Sequence, residues 1–283
     1  MSSIPSTQIP PAEITVIDAR RPYRLIDWQE LRQYRDLFYF LIWRDIKGQY
    51  AQSVLGVGWA IIQPLFNMVV FTIVFGQLAK IDSDGVPYAI FSYTALVPWT
   101  YFSGALTASG TSLVNSANVL TKVYFPRLVV PIVPVLAKLV DFGIAFVILM
   151  GLMLWFQITP TVGVLMLPLL ILLMMVAAAG IGMWLTALSV QYRDIKYGLN
   201  FGVQLLMYAA PVVYPASSVP AQFRLLYGLN PMAGVIEGFR SALLGTVPMP
   251  WDFLAMGSLS ALVLFLTGLV YFRYMERIFA DVV

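Results

Sequence analysis

The chain has 283 residues, 60% of them apolar and only 11% charged, with a formal net charge of +3 and a mean hydropathy of +0.81. Cysteine and histidine are both absent. That excludes disulfides, thiolate and imidazole metal sites, and any triad that uses histidine as its base. Carboxylate-only metal sites survive, but most of the 14 acidic residues fall in predicted loops.

Residues 1–26 are polar and carry Pro5, Pro10 and Pro11. They lack the apolar stretch of a secretory signal, so cleavage is not expected, and a flexible cytosolic lead-in is. From Asp27 to about Lys47 the pattern predicts a helix, with Asp27 as cap and Glu30 completing a capping box. Leu31, Tyr34, Phe38 and Leu41 recur at helical spacing, whereas Arg32, Arg35 and Asp36 lie mostly elsewhere. Charge interrupts this helix too often for it to span a bilayer. It is expected to lie on the cytosolic membrane face, with Trp28, Tyr39 and Trp43 at the interface.

A helical span needs about 20 apolar residues. Six segments qualify: roughly 57–79, 88–109, 129–156, 162–189, 199–215 and 252–272. The runs are continuous, not alternating, so helices are expected and a transmembrane barrel is not. The fold class is therefore all-α and polytopic. Lys and Arg fall thirteen on one side of the predicted topology and three on the other, with Lys138 inside a span. That bias puts both termini in the cytosol.

Pro64 and Asn67 lie in the first predicted span and Pro98 in the second, where prolines serve either as bundle geometry or as a hinge. Trp59 and Phe66 share a face of the first span, and Phe71 lies further along it. Trp99 is one of several aromatics in the second. Such rings can stack on the apolar faces of sugars, so these four are channel-lining candidates; packing and interface belts use the same residues. In the third span Lys138 and Asp141 stand three apart on one face, as an ion pair or as part of a polar conduit. Ala178 with Gly182, and Gly198 with Gly202, permit close helix approach. The proline-divided stretch 216–250 is moderately apolar and is expected to form two short re-entrant helices, with Glu237 and Arg240 placed to pair.

Between Asn115 and Pro131 the chain reads NSANVLTKVYFPRLVVP, a polar loop on the predicted cytosolic side. No G-x-x-x-x-G-K-[ST] motif occurs, so there is no P-loop for nucleotide, and G-x-S-x-G is missing too. Only Asp141 lies well inside a span, so a proton relay is disfavoured. Energy for any active transport must come from outside the chain. The expected organisation is a cytosolic lead-in (1–26), an interfacial helix and linker (27–56), a transmembrane region (57–272) and a cytosolic tail (273–283).

Five stretches taken in order resemble the polysaccharide/polyol-phosphate export permeases of type-2 ABC transporters. They are RDIKGQYAQSVLGVGWAIIQP (Arg44–Pro64), the loop just quoted, YRDIKYGLNFGVQLLMYAAPVVYP (Tyr192–Pro215), LNPMAGVIEGFR (Leu229–Arg240) and RYMERIFADVV (Arg273–Val283). The resemblance implies a six-span subunit that dimerises with a second copy and is bound below by two copies of a separate ABC ATPase. ATP and magnesium would be held by that partner, and this chain would carry no cofactor, metal or catalytic residue. Asn115, Lys122, Tyr124, Phe125, Pro126 and Arg127 would form the coupling segment. Arg44, Asp45, Lys47 and Tyr50 would lie at the cytosolic mouth, and Asn230, Pro231, Glu237 and Arg240 in the re-entrant hairpin. The implied cargo is a lipid-linked glycan of O-antigen, capsule or teichoic-acid type, crossing a bacterial inner membrane, with no nucleic acid involved. A drug or small-lipid permease of the same architecture is the alternative, and a partner-free transporter a more distant one.

Overall fold

The computed structural model describes residues 28–51, 56–116, 125–192 and 194–276. Among them all regular structure is helical. The expected capping box falls outside this set, because Asp27 and the side chain of Glu30 are not among the described groups.

Helix α1 (Trp28–Gln33) and helix α2 (Arg35–Tyr50) form the leading arm, broken at Tyr34. The spacing read from the sequence sorts its faces. Leu41 is buried, Leu31, Tyr34 and Phe38 pack beside it, and Trp28, Tyr39 and Trp43 stay exposed. Helix α3 (Gly58–Phe71) widens into a π-helical stretch at Thr72–Leu78. Only its Pro64 is buried among the described residues, so α3 leans on the bundle along one narrow edge.

Helix α4 (Tyr88–Gly110) is the centre of the molecule, buried along nearly its whole length. Its mean apolarity is too low for it to count among helices suited to cross a membrane by composition. The reason is position. A helix surrounded by protein need not be apolar all round, provided each hydroxyl finds an acceptor. Thr94 donates to the carbonyl of Ile90 (2.8 Å), Thr100 to Leu96 (2.8 Å), Ser109 to Pro131 (2.8 Å) and Tyr101 to Val135 (2.9 Å).

After a short turn of helix, α5 (Ser112–Asn115), come α6 (Val129–Ala137) and α7 (Leu139–Trp155), separated only at Lys138. A 3-10 turn at Val162–Met166 leads into α8 (Leu167–Gln191). Thr161 caps that turn, accepting from the Gly163 amide (3.1 Å) and donating to the Ala242 carbonyl (2.9 Å). Helix α9 (Ile195–Tyr208) has 14 residues. At 1.5 Å per residue it reaches about 21 Å, short of a bilayer's hydrocarbon core. The sequence placed a span at 199–215, but Pro211 lacks an amide donor and the helix stops three residues before it.

Two 3-10 turns, a single helical turn α10 (Arg224–Gly228) and helix α11 (Pro231–Leu244) follow. All fourteen residues of α11 are buried, whereas Phe223, Leu225 and Leu226 before it are exposed. Gly245 takes the left-handed conformation (φ 68°) that closes the helix, and helix α12 (Trp251–Met275) completes the bundle.

Four helical segments are long and apolar enough to cross a membrane: Gly58–Leu78, Val129–Trp155, Val162–Gln191 and Trp251–Met275. The tightest pairing joins α8 to α12. A Cβ built on Gly180 would lie 2.7 Å from the Phe265 backbone, and one on Gly268 would overlap the Gly180 carbonyl. By contrast, Gly198 and Gly202 on α9 have nothing within 4 Å.

Replacing Gly268 with leucine therefore forces the two backbones apart, at a cost of about 1–3 kcal/mol or more. The apparent melting temperature of the detergent-solubilised protein is expected to fall clearly for G268L and to hold or rise slightly for G198A.

Candidate functional site

One end of the bundle gathers the coupling segment. Phe125 is buried with Leu41 of α2, Leu113 of α5, Leu128, and Phe272 and Met275 of α12. Pro126 is buried and Arg127 half-buried. The Arg127 guanidinium donates to the carbonyl of Glu276 (2.7 Å), joining this segment to the end of α12. Asn115 is exposed and donates to the Thr111 hydroxyl (3.3 Å). Lys122 and Tyr124 lie outside the described residues.

From this end α2 runs beside α6 in the same direction. Leu41 packs at the level of Val130 and Val133, and Gln49 and Tyr50 reach Lys138 and Asp141. The end of α2 thus lies roughly three turns along the α6–α7 helix. Here Lys138 and Asp141 form an ion pair (3.0 Å). Gln49 joins both members, donating to Asp141 (2.6 Å) and accepting from Lys138 (3.0 Å), while the Tyr50 hydroxyl donates to the other Asp141 oxygen. Burial, then the hydrogen bond and charge of Asp141, push the Tyr50 hydroxyl above its ordinary pKa, which keeps it a donor. Sequence spacing predicted the pair. It gave no sign of the two α2 side chains that complete it, because they come from about 90 residues earlier.

Arg44 and Asp45 form a second pair, through Nη2 (2.8 Å) and Nε (3.1 Å) to one carboxylate oxygen. Lys47 lies over the Trp43 ring, 4.8 Å from its centre. The charges at the expected mouth are therefore largely engaged within α2 itself.

At the opposite end the hairpin residues converge. Asn230 caps α11, accepting from the Met232 amide (3.0 Å) and donating to the Ala209 carbonyl (3.0 Å), and Pro231 takes the first helical position. Arg240 is 0% exposed. It pairs with Glu237 (2.8 Å), donates to the carbonyls of Val212 (3.0 Å) and Tyr214 (3.2 Å), and lies 3.6 Å from the centre of the Phe91 ring. The same Glu237 oxygen accepts from the Ala216 amide (3.2 Å). Nearby, in the loop between α3 and α4, Asp84 sits in the left-handed region (φ 52°). Burial, then the charge of Asp82, push its carboxyl above the usual carboxylate range, against the opposing pull of Arg240.

The four aromatic candidates separate. Trp59 and Phe66 are 54% and 65% exposed on the open face of α3. Phe71 is half-buried and meets Phe75 edge-on (5.4 Å). Trp99 is only 4% exposed, against Phe102. Among the described residues no group of His, Cys, Asp and Glu is arranged to hold a metal ion.

Residues 36–244 match the family described as ABC-2 type transporter. The chain belongs to that family. Its relatives carry transport names. It is 24% identical over 248 residues to the O-antigen export system permease protein RfbA of Klebsiella pneumoniae, covering 87% of this chain and 95% of that one. Against RfbA of Myxococcus xanthus the identity is 27% over 215 residues, covering 75% and 82%. Against the polysialic acid transport protein KpsM of Escherichia coli it is 24% over 248 residues, covering 84% and 92%. The type-2 resemblance read from the motifs is thus borne out. The chain is a member of a transporter family, with four helical segments long and apolar enough to cross a membrane.

Two predictions concern the cluster around Arg240. Arg240→Met strands the Val212 and Tyr214 carbonyls and Glu237, and is expected to destabilise by about 3–5 kcal/mol, whereas R240M with E237L recovers part of the loss. Thermal unfolding in one detergent compares the three chains. Asp84, with its raised pKa, stabilises the fold below its unfolded value and loses that contribution as pH rises through the folded one. D84N, which the left-handed backbone tolerates, is expected to melt higher than the parent at pH 7. Their melting curves should converge as pH falls below the unfolded carboxyl's value, where Asp84 is protonated in both states.

Proposed function

We propose that this ABC-2 permease is the membrane subunit of an ATP-driven exporter of a lipid-linked polysaccharide, of O-antigen, capsule or teichoic-acid type. It works as a homodimer in a bacterial inner membrane. Two copies of a separate ATPase subunit bind ATP and magnesium below it. The observation that carries this reading is the family match over residues 36–244, joined to relatives named for O-antigen export and polysialic acid transport. The missing P-loop fits a chain that borrows its energy.

In this reading six segments cross the membrane: Gly58–Leu78, α4, α6 with α7, Val162–Gln191, α9 with the residues after it, and α12. Both termini lie in the cytosol. The arm α1–α2 lies at the cytosolic face, and residues 216–250 dip in from outside as a re-entrant hairpin carrying Asn230, Pro231, Glu237 and Arg240. The organisation is the one the sequence predicts, with a lead-in at 1–26, an arm and linker at 27–56, the membrane region at 57–272 and a tail at 273–283. The open faces of α3 and α9 turn toward the second copy, so Trp59 and Phe66 line the path between subunits.

The stretch Asn115–Arg127 seats in the ATPase. Phe125 and Pro126 anchor it to α2, Arg127 ties it to α12, and Asn115, Lys122 and Tyr124 supply contacts. Closure of the ATPase dimer on ATP pushes this segment. Because Phe125 packs on Leu41, the push passes to α2, and through Gln49 and Tyr50 to Asp141. Arg44, Asp45, Lys47 and Tyr50 stand where the arm meets α3.

The test is co-purification from membranes in mild detergent together with deletion of the gene. A stoichiometric ATPase and loss of surface glycan are expected. Export of a small hydrophobic compound with surface glycan intact would replace the polysaccharide reading, and an active chain with no ATPase would end the exporter reading. Lys122→Glu is expected to abolish most export while leaving chain abundance and dimer size unchanged; Arg127 is less suitable for this test because its bond to Glu276 is structural.

A further inference from the structure

Three hollows adjoin along the flank of α2. The first, about 290 Å³, lies between Leu41, Ser112, Asn115 and Phe125. The second, about 450 Å³, shares Arg44, Asp45, Ala108 and Pro134 with it. The third, about 270 Å³, shares Gln49 and Lys138 with the second and ends at Trp59 and Gln63 on α3. Together they make one furrow from the start of the coupling segment to the foot of α3.

Its lining has a definite chemistry. The fixed charges cancel in place, Arg44 against Asp45 at 2.8 Å and Lys138 against Asp141 at 3.0 Å. A phosphate would find no unpaired cation among these four. Gln49 lies between the pairs. Beyond the second pair the walls carry the Gln63 amide and the hydroxyls of Thr100 and Ser103, whose oxygens can still accept while their protons go to carbonyls of α4. Ser112 is 6% exposed, and its Oγ is buried with no hydrogen-bond partner among the described residues. A buried hydroxyl left unpaired is costly and calls for a partner. At the far end the Trp59 ring lies half open.

Mixed donors and acceptors without net charge, plus an open aromatic face, suit a ligand whose every polar group both donates and accepts. A sugar is such a ligand. We propose that this furrow, inside a single subunit, binds the uncharged hydroxyl-rich sugars of the exported chain before they reach the path between subunits. Ser112 takes one hydroxyl once its side chain turns into the first hollow, which it lines. Gln63 takes others, Gln49 adds the amide hydrogen and lone pair left over from its bonds to Asp141 and Lys138, and Trp59 stacks on a ring. The lipid carrier's phosphates are not what it recognises. This rests on the polysaccharide reading above.

The test places a benzophenone amino acid at Ser112, at Gln63, at Phe66 on the open face of α3 and at Leu262 on α12, in the full transporter within cells that make the glycan. After irradiation the chain is blotted for glycan, then treated with mild acid to cleave sugar from carrier phosphate. Adducts at Ser112 and Gln63 that keep their glycan through acid, and vanish when glycan synthesis is deleted, are expected, with none at Leu262. Adducts that lose glycan in acid mean the furrow holds the carrier, and overturn the proposal. Glycan at Phe66 with none at Ser112 or Gln63, or phospholipid alone at those two, overturns it too while leaving the exporter reading intact. No glycan adduct anywhere, with surface glycan unchanged on deletion, removes both.

Discussion

A carbonyl freed where a helix ends has no water to turn to inside a bilayer. The architecture depends on how Arg240 answers that constraint. Helix α9 stops at Tyr208, and the chain continues without helical bonding through Pro211 to Pro215. One guanidinium takes the carbonyls of Val212 and Tyr214, and its partner Glu237 takes the amide of Ala216. The Phe91 ring of α4 covers the cation. Without this arrangement those carbonyls and that amide would be stranded where the helix ends, and α9 and α11 would not be held together against α4.

The same constraint explains why the central helix is the least apolar of the long ones. Lipid-facing helices show apolar side chains outward, as the exposed leucines and valines of α12 do. Helix α4 faces protein along most of its surface and can carry tyrosines, threonines and serines, most of whose hydroxyls reach a carbonyl. Its polarity is a mark of its central position.

Much of this was legible beforehand. The starts of the long helices follow the apolar runs closely, and the two faces of α2 follow the spacing of Leu31, Tyr34, Phe38 and Leu41. Both ion pairs, Lys138 with Asp141 and Glu237 with Arg240, were visible because three residues on a helix share a face. What stayed hidden depends on contacts between distant segments. Gln49 and Tyr50 look like ordinary ends of a polar helix until Asp141 is set beside them. Phe125 looks like a surface aromatic in a loop, yet it is buried against α2. Gly180 and Gly268 are two glycines among twenty, and nothing in the chain says they touch. The glycine pairs that spacing does mark divide: Gly182 meets Ser109, while Gly198 and Gly202 face open space. The aromatic candidates were unsorted because periodicity gives a face but not what that face meets.

The contact between Gly180 and Gly268 has a mechanical consequence. Side chains between two helices act as a cushion that can re-rotamer and let the helices slide. Here backbone rests on backbone, so α8 and α12 behave as a single stiff plank. Any rearrangement that carries cargo must be made by the parts hinged to that plank: the arm that reaches Asp141, and the thinly supported α3 with its single buried proline.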